Sequence, residues 1–565
     1  MLLIIKEYLS LLKESKELDA LLPDLLLVMG HTILSKPQIG VRQNGVDIAT
    51  IGKDENGIEK LFLFVVKQGD LDRSDWNSTP QSVRPTMDEI QDVYIRNSIP
   101  PEYKNSIVTV VLCTGGDLKQ SVQPDWNGYV DSNKSERLEF QFWGGDKLSL
   151  LIQENMFNEN IFPQKFRSSL RKTLSLLSDT SYDMHDYYQL INDMLFTSSQ
   201  KQQSLKQNEK LLRMIHLILN IIYFWAQNDD NIHPAILASE QTILNIWKFI
   251  INNHIEKEKT IISIFIEVLE TTNCIYNTYV SKFVDYYSIK NGLSGLSGSA
   301  DSDIEAIMLF DHLGIMACCA LLNFNLYYLT KDEVCKENLM IVSSHIKSFI
   351  SNHSVLLSPV YDDNAIDVSL ALYVLYITEG KEFIIDYIYR MTGNIIFAYN
   401  ILNSHFPVAT DNFDDVISEY KDNKEERINL STLFPNLAEW IVCIGQNEIY
   451  SSFQQAIKKV FPKTILELWY PDSSSENIIY SSNAARTFPM GTGYSITLNA
   501  LPKDMEDFRI QMLMKPDRRL DLQEFSCVKF GLPSLLFISN RHFRTPFLSQ
   551  FICGLITATK KESDE

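Results

Sequence analysis

Apolar positions keep a helical spacing at the start of this chain and then lose it. Leu2, Leu9, Leu11 and Leu12, followed by the leucines of residues 21–27, leave an apolar stripe with polar gaps. That predicts helix over residues 1–35, with Pro23 placed to open a second helix. Residues 41–44 and 46–51 then read as extended, with Asn44-Gly45 a turn or bulge between them, and residues 54–57 (Asp-Glu-Asn-Gly) read as a turn. The run 61–66 is apolar at every position, the pattern of a central strand buried on both faces. A helix over 85–97 follows, then an apolar strand over 106–113 closed by Thr114-Gly115-Gly116. A strand over 138–143 and a helix over 146–153 complete a compact α/β domain, bounded at residues 1–165.

Beyond residue 168 the period stays near 3.6. The segments 211–225, 243–269, 303–329, 337–350 and 366–389 carry apolar residues three and four apart, which predicts an all-helical domain over 166–425. No repeat of fixed period joins them. Residues 426–565 are mixed: 437–444 and 451–460 read as helix, and 494–498, 509–513 and 534–538 as extended. The fold class expected is α+β multidomain, with an N-terminal α/β domain, a helical middle and a small α+β C-terminal region.

Composition is that of a globular protein, 45% hydrophobic and 22% charged over 565 residues. A formal net charge of −20 argues against coating nucleic acid by bulk attraction, since phosphate binding needs clustered cations. Residues 36–104 hold nine Lys/Arg against eleven Asp/Glu, so any basic groove must be assembled by folding or supplied by a partner. The eight cysteines form no C-x-x-C and no zinc spacing, and read as buried thiols of a reducing cytoplasm. Residues 1–5 lack the basic start and long apolar core of a signal peptide, and the apolar run 312–330 reads as a buried helix rather than a membrane span.

Chemistry concentrates at one place. Gly45-Val46-Asp47-Ile48 puts an aspartate near the end of one strand, and Phe64-Val65-Val66-Lys67 puts a lysine at the end of the next. Two paired strands can bring both to one sheet edge. A carboxylate plus an amine there is the minimum for holding a divalent cation and activating water beside a phosphate. These residues, with Phe142-Trp143-Gly144-Gly145-Asp146-Lys147-Leu148 as closing strand and helix, resemble the PD-(D/E)XK superfamily of restriction-endonuclease-like nucleases, in particular its Mrr-like branch, over about residues 20–155. The resemblance implies that Asp47 binds Mg²⁺ (or Mn²⁺), that Val66 offers its carbonyl, and that Lys67 orients the attacking water and steadies charge on the phosphate. It implies a metal-dependent nuclease acting on DNA.

One position departs from the pattern. Two residues before Lys67 stands Val65, where such nucleases carry an acid. Either the acid has migrated, with Glu89 or Asp88 in the following helix the candidates and Asp70 and Asp72 nearer in sequence, or the domain only binds or scaffolds. After the lysine, Gln68, Arg73, Trp76 and Arg84 form a polar stretch suited to a phosphate backbone, with Trp76 stacking a base or ribose. A lone acidic nuclease with large helical regions resembles the effector of a bacterial anti-phage defence system. Such effectors often work with a separately encoded ATPase or sensor, and the chain carries no G-x-x-x-x-G-K-[ST] of its own; DNA, such a protein and a second copy of the chain are the partners expected.

Other groups read as structural: His31 buried or capping, Asp183, His185 and Asp186 a polar helix start, Tyr223-Phe224-Trp225 core, and Gly491-Thr492-Gly493 too short to cradle a nucleotide. The segment 540–545, Asn-Arg-His-Phe-Arg-Thr, reads as a structural loop before a phosphate contact.

Overall fold

A computed structural model describes residues 2–35, 44–156, 161–179, 182–197, 204–295, 302–400, 430–472, 475–480, 494–513, 521–544, 552 and 554–555. It forms two compact units, Met1–Pro234 and Ala235–Glu565.

The first unit opens with α1 (Leu2–Ser10), a π-helical turn (Glu14–Leu18) and α2 (Asp19–Val28). The helix expected to residue 35 stops short, because Thr32–Ser35 is an edge strand, β1; a β-branched pair, Thr32-Ile33, after Gly30 at φ +86° suits strand better than a third helical turn. The expected extension of residues 41–43 lies outside the described residues. Then come β2 (Ile48–Lys53), β3 (Glu59–Lys67), α3 (Arg73–Asn77) and α4 (Val83–Glu89). A π turn (Ile90–Tyr94) runs α4 into α5 (Ile95–Asn97). β4 (Val108–Thr114), α6 (Gln123–Asn133), β5 (Leu138–Trp143) and α7 (Gly145–Asn155) complete the α/β layer.

The sheet order is β1-β2-β3-β4-β5, with β1–β2 and β2–β3 antiparallel and the last two pairs parallel. β3 is central, and its residues from Leu61 to Val66 are buried, as a continuous apolar run requires. One face, bearing Leu61, Leu63 and Val65, packs against Trp76, Val83, Met87, Ile90, Trp126 and Tyr129 of α3, α4, the π turn and α6. On the other, Phe64 meets Trp143 edge-on at 5.2 Å and Phe62 lies 5.0 Å from His31. The β2–β3 turn is set by Asp54, whose Oδ1 accepts from the N–H groups of Asn56 and Ile58 at 2.9 Å each.

At the C-terminal ends of β3 and β4 the backbones crowd. A Cβ on Gly115 would sit 2.1 Å from the Leu9 carbonyl oxygen, and one on Gly116 would sit 2.4 Å from the carbonyl carbon of Gly69. Only glycine lets the end of α1 lie on this edge. The unit continues through α8 (Gln164–Leu176), α9 (His185–Asn192) and α10 (Leu205–Asn228). The 165/166 division read from sequence thus falls inside this compact body.

The second unit is helical through α11 (His233–Asn252), α12 (Lys259–Ser281), α13 (Val284–Tyr287), α14 (Ser302–Thr330), α15 (Glu333–Asn352), α16 (Asn364–Thr378) and α17 (Glu382–Asn400). The expected helices 243–269 and 366–389 are each broken in two, at the polar turn 253–258 and at the glycine-containing turn 379–381. α14 is long and apolar enough to cross a membrane, and 83% of its most apolar window is buried. A small sheet, β6-β7-β8 (Leu430–Ser431, Ile465–Tyr470, Tyr494–Leu498), packs with the helix Leu433–Ile444, which in turn packs with the helix Asn447–Val460. Two expected strands are corrected: 509–513 lies in the helix Met505–Leu513, and 534–538 in the helix Ser534–Phe543. The protein is α+β and mostly helical, with a small sheet at each end of the chain. Gly491-Thr492-Gly493 lies outside the described residues.

Candidate active site

Asn44 (φ +49°) and Gly45 (φ +84°) turn the chain into β2. Gly45 needs that conformation and also closeness, because a Cβ there would lie 2.8 Å from the Thr86 carbonyl oxygen of α4. The turn delivers Asp47 just before Ile48, which pairs with Phe64. The Asp47 N–H donates to the Phe64 carbonyl at 2.9 Å. Its carboxylate Oδ2 accepts from the Val66 N–H at 2.7 Å, so the aspartate grips the very end of β3. Lys67, which ends β3 beside Thr114 of β4, is close enough to act electrostatically on Asp47. The two strand ends therefore share one edge of the sheet.

Two further carboxylates join them from the N-terminal helices. The Lys67 ammonium lies 3.8 Å from Glu14 Oε1 in the π turn. Glu14 and Asp19, the first residue of α2, are the negative charges that press on Asp47. Burial first, then these like charges, raise the Asp47 carboxyl to about 6, against the Val66 N–H and Lys67, which favour its ionised form. The result is a half-buried aspartate poised near neutrality among one ammonium and two more acids, the arrangement in which perturbed titration accompanies function.

Glu89 is half-buried at the end of α4 and is not among the charges acting most strongly on Asp47. Asp88 accepts from the Tyr129 hydroxyl at 2.8 Å, Asp70 Oδ1 accepts from the Asp117 N–H at 3.0 Å, and Asp72 caps α3. Val65 is fully buried in the sheet core. Of the polar stretch, Gln68, Arg73 and Arg84 are exposed. Trp76 is a correction: it is buried, edge-on to Trp126 at 6.5 Å and to Tyr129 at 5.9 Å, and so is a core residue with no face for a base.

His31 is buried with Nδ1 3.0 Å from Thr50 Oγ1, and Asp183 accepts from the His185 N–H at the start of α9; both are structural. In the second unit Arg541 and His542 are buried against Glu240 in a helix, not on a phosphate-facing loop. Sequence reasoning missed Glu14 and Asp19. The only signal was the charged break 13–19 (Lys-Glu-Ser-Lys-Glu-Leu-Asp) in an otherwise leucine-rich start.

No family model, curated protein or solved structure matches this chain. The assignment of chemistry therefore rests on the residues at the sheet edge.

For a divalent cation the donor set fits in part. Among the described residues no three or more His, Cys, Asp and Glu side chains are close enough to form a protein-only cage. Mg²⁺, however, is held through one or two carboxylates with waters and substrate phosphate completing its shell. Asp47 with Glu14 or Asp19, both near enough to act on it electrostatically, would supply that number.

Proposed function

We propose that the first unit is a metal-dependent nuclease that hydrolyses phosphodiester bonds, with DNA as its substrate. The observation that carries this reading is the meeting of Asp47, Lys67, Glu14 and Asp19 at one edge of the sheet. Asp47, with Glu14 or Asp19 in the place of the acid that Val65 lacks, would hold Mg²⁺ or Mn²⁺. The bound ion would polarise water and neutralise charge on the phosphate. The protein's own part is positional. The Val66 N–H fixes the Asp47 carboxylate, leaving its other oxygen for the cation. Lys67 exchanges a loose 3.8 Å ion pair with Glu14 for the scissile phosphate and its attacking water. Gln68, Arg73 and Arg84, exposed beyond the strand end, would contact the backbone of the strand. The role of effector in an anti-phage system, with a separate ATPase or sensor, extends this reading by analogy.

The test is digestion of single- and double-stranded DNA and RNA with Mg²⁺ or with chelator. Asp47→Ala and Lys67→Ala are each expected to abolish cleavage, and Glu14→Gln or Asp19→Asn to lower it about 100-fold or more, the size of losing one charge-stabilising group. Glu89→Gln is expected to leave it within about threefold. Metal-dependent cleavage that survives both alanine changes would remove the site.

Val65 favours a second reading, a nuclease-like scaffold that binds nucleic acid or protein without cutting. On that reading Lys67→Ala leaves no activity to lose, and restoring an acid at position 65 would be the informative gain.

A further inference from the structure

We propose that the cavity between the N-terminal helices and α8 in the first unit is a binding site for a small phosphorylated ligand of about mononucleotide size. The cavity holds about 690 Å³, inside the range of small-molecule sites, and neither Asp47 nor Lys67 lines it.

Its charges favour an anion. Arg167 and Arg171, one turn apart on α8, and Lys210 on α10 face Glu17 and Asp24, three cations against two acids in a chain that is strongly acidic as a whole. The pairing directs Arg167 and Lys210 without exhausting them. Arg167 donates from Nε to the Phe162 carbonyl at 2.7 Å and from Nη1 to Asp24 at 3.1 Å, which fixes the guanidinium plane and leaves further N–H groups of its fork for a ligand. Lys210 pairs with Glu17 and keeps two more donors. The first turn of the 13-residue α8 also lies at the cavity through Pro163 and Gln164, and it carries no acidic residue. Its N–H groups and dipole favour a bound anion.

Independent of the charges, the Tyr8 side chain gives the cavity a neutral polar group. Tyr8 is 1% exposed, its ring packs 5.9 Å from Phe162, and it lines the cavity. A hydroxyl on the wall of this cavity is placed to bond a ligand oxygen. Leu12, Leu21 and Phe162 give the same cavity an apolar floor, which a bare inorganic ion would not use. The two wall carboxylates oppose a continuous polyanion, so the fit is to one phosphorylated molecule rather than a nucleic-acid strand. Glu17, which faces Lys210, and Glu14, which faces Lys67, share the same five-residue π turn.

The experiment is isothermal titration of the full chain with inorganic phosphate, with AMP and dTMP, and with adenosine and thymidine. A nucleotide is expected to bind saturably and the nucleosides not to bind. Arg171→Ala and Lys210→Ala should each weaken nucleotide binding about tenfold, and Tyr8→Phe, which keeps the ring on Phe162, about threefold or more. Unchanged far-UV circular dichroism keeps these variants interpretable. No binding of any phosphorylated probe at millimolar concentration, or binding indifferent to Lys210→Ala, overturns the site. Inorganic phosphate binding as tightly as the nucleotides overturns its size. Because the readout is binding, the outcome is independent of whether the sheet edge cuts DNA.

Discussion

Asp47 carries two opposed demands. Its carboxylate must be ionised to accept a cation, yet burial and the charges of Glu14 and Asp19 hold its carboxyl near 6 instead of the ordinary 3.8. The consequence for stability has a definite sign. With the folded value above the unfolded one, the folded chain holds the extra proton between about pH 4 and 6. Stability therefore falls as pH rises through that window, and the full penalty, about 3 kcal/mol for a carboxyl displaced this far, is in place above it. Asp47→Asn keeps an oxygen for the Val66 N–H but never ionises. The variant should match the parent near pH 4 and exceed it progressively, by up to about 3 kcal/mol, at pH 7. Denaturant unfolding at several pH values between these limits measures the difference. A constant offset across the range would show that Asp47 is not under this pressure.

Elements were legible where one physical cause dominated. β3 and β4 are buried on both faces, so they are dominated by apolar residues, and the runs at 61–66 and 106–113 said so. The Asn44-Gly45 and 54–57 turns were legible because backbone with φ above zero selects Gly and Asn. Short apolar runs carry no period, and 509–513 and 534–538 read as strand although tertiary packing makes them helix. α6, with Pro, Asp and Gly in its sequence, has almost no amphipathic stripe and leaves no signal to read. The candidate site was half legible for a related reason. Asp47, next to the start of β2, and Lys67, at the end of β3, are set by the register of neighbouring strands, whereas Glu14 and Asp19 reach them only because α1 and α2 fold back over the sheet edge. What permits that fold-back is Gly115. Gly115→Ala sets a Cβ against the backbone of Leu9, which cannot swing aside as a side chain can, and should cost about 3 kcal/mol or more. Gly128→Ala, in α6 with no atom within 4 Å of the new methyl, should instead stabilise by about 0.5–1 kcal/mol. Thermal melts of the pair, run side by side, check the contrast.

On the scale of the whole molecule, the chain carries a net charge of −20, yet the second unit holds some of its scarce cations inside. Arg541, 3% exposed, donates from Nη1 to both oxygens of Glu240 at 2.6 and 2.7 Å and from Nη2 to Asp311 at 3.0 Å. Arg544 bonds Asp367 at 2.8 Å, and His542 Nδ1 lies 2.9 Å from Glu240. The network fastens the helix Ser534–Phe543 to α11, α14 and α16, which are far apart in sequence, and Gly314 leaves room for it, since a Cβ there would lie 2.3 Å from Asp367 Oδ1. Burial alone would raise the Glu240 carboxyl, but Arg541 and His542 hold it below its ordinary value, so the glutamate is a charge that depends on its partners. Replacing the pair by apolar groups of similar size need not destabilise, whereas removing one partner strands a buried charge. Arg541→Met should therefore cost about 3–5 kcal/mol, and adding Glu240→Gln to it should recover a substantial part of that loss. Hydrogen exchange locates the effect: protection should fall in α11, α14 and Ser534–Phe543 while β3 and β4 keep theirs. If Arg541→Met costs less than about 1 kcal/mol, or the double variant is no better than the single, the charges do not depend on one another as the geometry requires.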